Sequence, residues 1–118
     1  MKTVQRGSMT NALVRCTRHD DKAAGLFELV RADIGLWVLE LDHTPKFTVA
    51  EQISEITAQL QASIEQLQII REGSADYTLH LAYDLDENKP IIYPPSLSKI
   101  ASDCGFAIET YTNQNEEG

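Results

Sequence analysis

Seven apolar residues, Val49, Ile53, Ile56, Leu60, Ile64, Leu67 and Ile70, recur over 21 positions in six steps, a mean spacing of 3.5. That period is one stripe of an α-helix, and it predicts a single unbroken helix from Val49 to Glu72. Thr48-Val-Ala-Glu51 marks its start as a capping box, in which Thr48 accepts from the first-turn amides and Glu51 reaches back. Pro45 upstream and Gly73 downstream punctuate the two ends. At 1.5 Å per residue such a rod is about 36 Å long, comparable with the diameter of a domain this size. Its stripe therefore has to be buried along nearly its whole length. The opposite side reads as polar, with Gln52, Ser54, Thr57, Gln59, Gln61, Ser63, Gln66 and Gln68.

Strands are expected on either side of this helix. Tyr77, Leu79, Leu81 and Tyr83 alternate with Thr78, His80, Ala82 and Asp84, the period of a sheet covered on one face only. Leu36 to Leu41 is more continuously apolar and reads as a central strand, while Ala12 to Thr17 and Phe106 to Tyr111 are further strands. Ile91 to Tyr93, after the turn at Asp86 to Pro90, reads as a short hairpin arm. Leu97, Ile100, Ala101 and Cys104 share a helical face, with Ser96 placed to cap and Gly105 to end it. Ala23, Leu26, Phe27 and Val30 also fit a helical face, against a competing reading of Leu26 to Arg31 as a hairpin arm. An internal echo, Asp33-Ile-Gly35-Leu-Trp-Val against Asp103-Cys-Gly105-Phe-Ala-Ile, favours helix for residues 22–33, with glycine left-handed at the end of each. These elements predict an α+β two-layer sandwich: an antiparallel or mixed sheet with the long helix packed on one face, ferredoxin-like being one such arrangement. Residues 11–111 are expected to form the domain, between a flexible N-terminus (1–10) and a disordered acidic tail (112–118).

Among the 118 residues 42% are apolar and 24% charged, ordinary globular usage that excludes disordered and fibrous classes. The longest apolar run, Leu36 to Leu39, is far short of the roughly 20 residues of a membrane span, and Met1 to Thr10 lacks the apolar core of a signal peptide. The expectation is a cytoplasmic protein with no membrane partner. A net charge of -8 disfavours a nucleic-acid partner, because phosphate binding needs clustered Lys and Arg. Residues 1–31 carry +3 and residues 32–118 carry -11, with no Lys or Arg between Phe47 and Ile70. The plain reading is a solubilising surface, and the sharper one is a face that attracts a basic protein.

Chemistry is sparse. Cys16 and Cys104 lie 88 positions apart without metal-ligand spacing and read as reduced, buried thiols. Cys16-Thr-Arg-His19-Asp-Asp21 places a thiol near an imidazole and carboxylates. Thiolate catalysis needs Cys16 and His19 in contact, which on a strand requires the strand to end between them. Asp84-Leu-Asp86-Glu-Asn88 begins like a calcium loop, but Lys89 stands where glycine is needed and Pro95 where the bidentate glutamate belongs. His43 beside Asp42, and His80 near Thr78 and Asp84, lack the spacings of a metal site. Trp37, Tyr77, Tyr83 and Tyr93 line a ligand pocket on one reading and build the core on the other. No glycine-rich phosphate loop or nucleophile elbow is present. No catalytic, cofactor-binding or metal-binding residue is assigned.

Gly35-Leu-Trp-Val-Leu-Glu-Leu41, the long helix, Pro90-Ile-Ile-Tyr-Pro-Pro-Ser-Leu97 and Ile100-Ala-Ser-Asp-Cys-Gly-Phe-Ala-Ile-Glu-Thr-Tyr111 resemble, in order and spacing, the bacterial family called domain of unknown function 4279. The resemblance covers about residues 34–111, and Leu13 to Asp21 matches it only loosely. It implies an intracellular α/β fold and brings no catalytic residues. Small acidic domains of this sort also resemble immunity proteins that mask basic toxins, an analogy of charge and size. Three expectations follow. The first is a non-enzymatic protein–protein interaction domain, immunity-like, with a basic partner. The second is a small-molecule or thiol-dependent enzymatic domain around Cys16, His19 and the aromatic strands. The third is a homodimer formed through strand edges or the helix.

Overall fold

The stripe that starts at Val49 folds as two helices, α1 (Val49–Ala62) and α2 (Ile64–Arg71), in a computed structural model that describes residues 8–84 and 90–112. The expected single rod is interrupted at Ser63, whose φ of -113° and ψ of 19° leave the helical basin. The Ser63 amide turns back to the Leu60 carbonyl at 3.1 Å, and the Ser63 carbonyl accepts the Leu67 amide at 2.9 Å. Serine is a weak mid-helix residue because local hydrogen bonding competes with the helical ladder. The break leaves the stripe intact. Ile53, Ile56, Leu60, Leu67 and Ile70 are all buried, and Val49 and Ile64 pack partly against the same core. The capping box forms as expected: Glu51 donates its amide to Thr48 Oγ1 at 3.2 Å, and Thr48 donates its own to Glu51 Oε1 at 2.9 Å.

Strands β1 (Ser8–Thr17), β2 (Glu28–Arg31), β3 (Leu36–Glu40), β4 (Ala75–Asp84) and β5 (Ala107–Thr112) form one sheet in the order β2-β3-β1-β4-β5. The pairs β2–β3, β3–β1 and β1–β4 are antiparallel, and β4–β5 is parallel. A parallel pair needs a crossover, and α3 (Pro95–Cys104) lies between its strands. The expected α+β two-layer sandwich with a mixed sheet is therefore the observed architecture. The element order βββααβαβ is not the βαββαβ of a ferredoxin-like domain. Ala12, Val14 and Cys16 of β1 and Leu79, Leu81 and Tyr83 of β4 share one buried core with the three helices. Alternation sends Leu13, Arg15, His80 and Glu109 to the other face.

Residues 22–33 do not form the expected helix. A turn carries Ala23 and Phe27 into the core, with the Ala23 carbonyl accepting from Leu26 and Phe27 at 3.1 and 2.7 Å. The chain then straightens into β2 and pairs with β3, as the competing hairpin reading had it. Pairing with a neighbouring strand outweighs a local pattern that fits either period. The echoed glycines are left-handed at both places, Gly35 at φ +65° and Gly105 at φ +81°. Gly105 caps α3, its amide reaching the Ala101 carbonyl at 2.8 Å, whereas Gly35 closes a hairpin.

Smaller expectations are corrected as well. Ile91 to Tyr93 is not a strand, and α3 starts with Pro95 in its first turn after Pro94, without a side-chain cap from Ser96. β1 begins at Ser8 with Met9 buried, so the sheet takes in residues expected to be flexible. Gln52, placed on the polar side of the helix, is 0% exposed. Its Oε1 accepts the Met9 amide at 2.8 Å, where the β1–β4 register slips, and its Nε2 donates to the Thr44 carbonyl at 2.9 Å. Of the expected termini, 1–10 and 112–118, residues 1–7 and 113–118 lie outside the described residues, as does all of the Asp86–Pro90 turn except Pro90, while Thr112 ends β5 rather than opening a tail.

Gln52 predicts its own test. Gln52→Leu keeps the bulk but takes from the buried Met9 amide its acceptor and from the Thr44 carbonyl one of its two donors, the other being the Phe47 amide, an expected loss of about 2 kcal/mol. In a domain of this length that is roughly 8 °C in melting temperature, read by calorimetry or circular dichroism. An unchanged melting temperature would show that water replaces the amide.

Candidate functional site

The chain at the end of β1 does not join Cys16 to His19. Cys16 points into the core and is fully buried, while His19 is exposed past the strand end. The His19 ring lies over Gly35: a Cβ on Gly35 would come within 3.0 Å of its Cε1 and Nδ1. Burial pushes the Cys16 thiol above its usual range, against a hydrogen bond from Ser74 and the charge of Arg18. Cys104, also buried, is pushed up to about 11 by the same desolvation, with Asp103 adding to it. Both thiols therefore stay protonated at neutral pH. Reaction of either with a thiol-directed disulfide reagent at pH 8 should wait on opening of the chain, on the order of a thousand-fold slower than in denaturant. A rapid one-thiol phase in the native protein would contradict this placement.

What gathers between these residues is Arg18, which sequence reading counted only as a charge. It is 4% exposed. Its Nη1 donates to the Ile70 carbonyl at the C-terminal end of α2 at 2.6 Å and to Ser74 Oγ at 2.9 Å. Its Nε and Nη2 form a fork on Asp20 at 2.6 and 3.0 Å. The Arg18 carbonyl accepts the Trp37 indole N–H at 3.1 Å, and its amide donates to the Gly35 carbonyl at 2.8 Å. The fork, followed by the Lys22 amide, holds the Asp20 carboxyl down to about 2. One residue thus ties the end of β1 to β3 through its main chain and to the end of α2 through its side chain. A cation is favourable there because the carbonyl end of a helix is negative.

The aromatic residues belong to this framework. Trp37, Tyr77 and Tyr83 are buried core. Tyr77 donates its hydroxyl to the Leu67 carbonyl at 2.7 Å, and burial raises the Tyr77 and Tyr83 phenols well above their usual range. The Tyr93 hydroxyl bridges Tyr83 at 3.0 Å and Thr110 Oγ1 at 2.7 Å. A shallow cleft of about 460 Å³ lies beside β2, lined by Phe27, Glu28, Val30, Val38 and Glu40 among others. It takes in none of Cys16, His19, Trp37 or Tyr77. Among the described residues no three His, Cys, Asp or Glu side chains come close enough to hold a metal ion, and His43 and the 18–21 loop make no such group. The calcium-like Asp84–Asn88 run lies, apart from Asp84, outside the described residues.

The sheet face away from the helices carries a polar cluster. Arg15 Nη2 meets Glu109 Oε1 at 3.2 Å, His80 Nδ1 lies 3.7 Å from that oxygen, and the Tyr111 hydroxyl donates to it at 3.4 Å. The His80 and Tyr111 rings stack with centroids 4.7 Å apart. Sequence reading missed the group because Arg15 and Glu109 are 94 positions apart and meet only through the parallel β4–β5 register.

The acidic residues do not share one face. Glu28 and Glu40 fall on the open sheet face by register, and Glu51 and Glu65 on the helical layer. Four described cations are spent on local acids: Arg15 on Glu109, Arg18 on Asp20, Arg31 on Asp33 and Lys99 on Asp103. No described helix is long and apolar enough to cross a membrane. No family model, curated protein or solved structure matches the chain.

Proposed function

We propose that this chain is a non-enzymatic protein-interaction domain that receives a basic partner on the outer surface of α1 and α2. The observation that carries the reading is the composition of that surface. Glu51, Gln61, Glu65, Gln66 and Gln68 are exposed, the two helices carry no Lys or Arg before Arg71 at the end of α2, and Ile69 is 65% exposed one turn beyond Glu65 and Gln66. An apolar side chain within a polar, acidic field is the pattern of an interface anchor and its rim. Net charge -8 steers a cationic protein toward it. An immunity-like role, the masking of a basic toxin, is the form of this reading that the charge favours.

The test uses the whole chain as bait against basic proteins encoded beside its gene. Retention that 0.5 M salt releases, and that Glu51→Lys with Glu65→Lys removes, is the expected result. Absence of a basic partner, or binding indifferent to salt and to both substitutions, would count against the reading. The alternative built on Cys16, His19 and the aromatic residues of the strands has none of them in the cleft beside β2, and a small-molecule reading there rests on other ones, with Glu28 and Glu40 flanking Phe27 and Val38.

A further inference from the structure

The two edges of the sheet are unlike. β2 is four residues long, its register slips between Leu29 and Arg31, and it begins and ends on the charged Glu28 and Arg31. Shortness, a bulge and charge are the devices that blunt an edge against another strand. β5 has neither the shortness nor the bulge. It runs six residues in unbroken register with β4, from Thr78 opposite Ala107 to Tyr83 opposite Thr112. Ile108, Thr110, Tyr111 and Thr112 are strong strand formers. Its single charge, Glu109, is already countered by Arg15. Among the described residues nothing pairs with its outer side. Exposed apolar side chains flank it on both faces: Tyr111, 51% exposed, on the open face, and Ile92, 79% exposed, beside the Tyr93 that bonds Thr110.

We propose that this edge is a dimerisation edge, taken by β5 of a second copy running antiparallel about a twofold axis at Thr110, so that the two sheets continue as one. A twofold axis normal to a continuous sheet pairs residues that share a face, so facing positions are both odd or both even. Two registers then engage five residues of each strand. Centring on Glu109 sets the two Glu109 carboxylates against each other, which is unfavourable. Centring on Thr110 sets Glu109 against Tyr111 of the second copy, a phenol that can donate to the carboxylate, and Ile108 against its Thr112. A second copy is the occupant that fits. The chain's charge of -8 repels copies elsewhere, whereas this strand brings no unbalanced charge and offers a cationic partner no free carboxylate.

Equilibrium sedimentation of the unaltered chain tests the association, and cysteine cross-linking tests the register. The mass should rise with concentration toward twice the 13.2 kDa of one chain, and Thr110→Lys, which faces two ammonium groups across the axis, should hold it at the single value. Under mild oxidation Thr110→Cys should cross-link, since facing Cα atoms lie about 4.5–5.5 Å apart, within disulfide reach. Glu109→Cys should not, its two Cα atoms being about 8 Å apart. Cys16 and Cys104 are buried and do not compete. A single-chain mass at every concentration overturns the proposal. So does a dimer in which Glu109→Cys cross-links in place of Thr110→Cys, or in which neither does.

Discussion

Arg18→Ala is expected to lower the melting temperature by roughly 15 °C, a loss of about 4 kcal/mol, the largest effect of any single substitution proposed for this chain. The side chain is almost wholly buried, so truncation removes packing from beneath Gly73 as well as charge. It takes from the end of α2 the cation that bonds the Ile70 carbonyl, and it leaves Ser74 Oγ with one partner in place of two. Arg18→Lys should recover part of the loss, because an ammonium reaches Ile70 but cannot fork onto Asp20 at the same time. The pH dependence should change with it. The folded Asp20 carboxyl sits near 2 against an ordinary 3.8, so its contribution is complete above about pH 4 and is lost as pH falls through 2. In Arg18→Ala that share of the acid sensitivity disappears. Urea melts of both proteins at pH 7 and pH 3 measure it. Parallel acid profiles would show that the fork holds no more than a solvated ion pair does.

How much of this was legible in advance follows from distance along the chain. The Thr48–Glu51 capping box, the alternation from Tyr77 to Tyr83 and the left-handed glycines at 35 and 105 are written within a few residues of one another. Each stands in the structure as expected. Gln52 is the counter-example. Its residue type suits a solvated helix face, yet it lies next to Ile53, and a register slip in β1, 43 positions away, presents it with an amide to satisfy. Residues 22–33 failed for a related reason, since Ala23, Leu26, Phe27 and Val30 satisfy a helical period and only pairing with β3 decides between the two forms. For the candidate sites the order reverses. Cys16 and His19 are close in sequence yet do not meet, one buried in the core and the other exposed beyond β1, whereas Arg15, His80, Glu109 and Tyr111 are distant in sequence and meet. Arg18 carried one local mark, Asp20 two positions on, while the acceptors that tie it to the end of α2 lie 52 and 56 positions on.

Gly35→Ala should cost about 3 kcal/mol, and the comparison with Gly105→Ala separates its causes. Both glycines are left-handed, which alone costs an alanine about 1 kcal/mol. At Gly105 the added Cβ would meet Arg71 Cδ and Nε at 2.7 Å, the outer part of an exposed, flexible side chain that can swing aside. At Gly35 it would lie 2.5 Å from the Arg18 carbonyl oxygen. That oxygen is backbone, fixed by the Trp37 indole on one side and by the Arg18–Gly35 hydrogen bond on the other. To make room β1 and β3 must separate where Arg18 joins them, and overpacking of that kind adds roughly 1–3 kcal/mol. Melting temperatures of the two variants should therefore fall by unequal amounts, with Gly35→Ala losing at least twice as much as Gly105→Ala. Equal losses would mean that backbone conformation is the whole cost at both sites, and that the strand ends around Arg18 yield more easily than their hydrogen bonds imply.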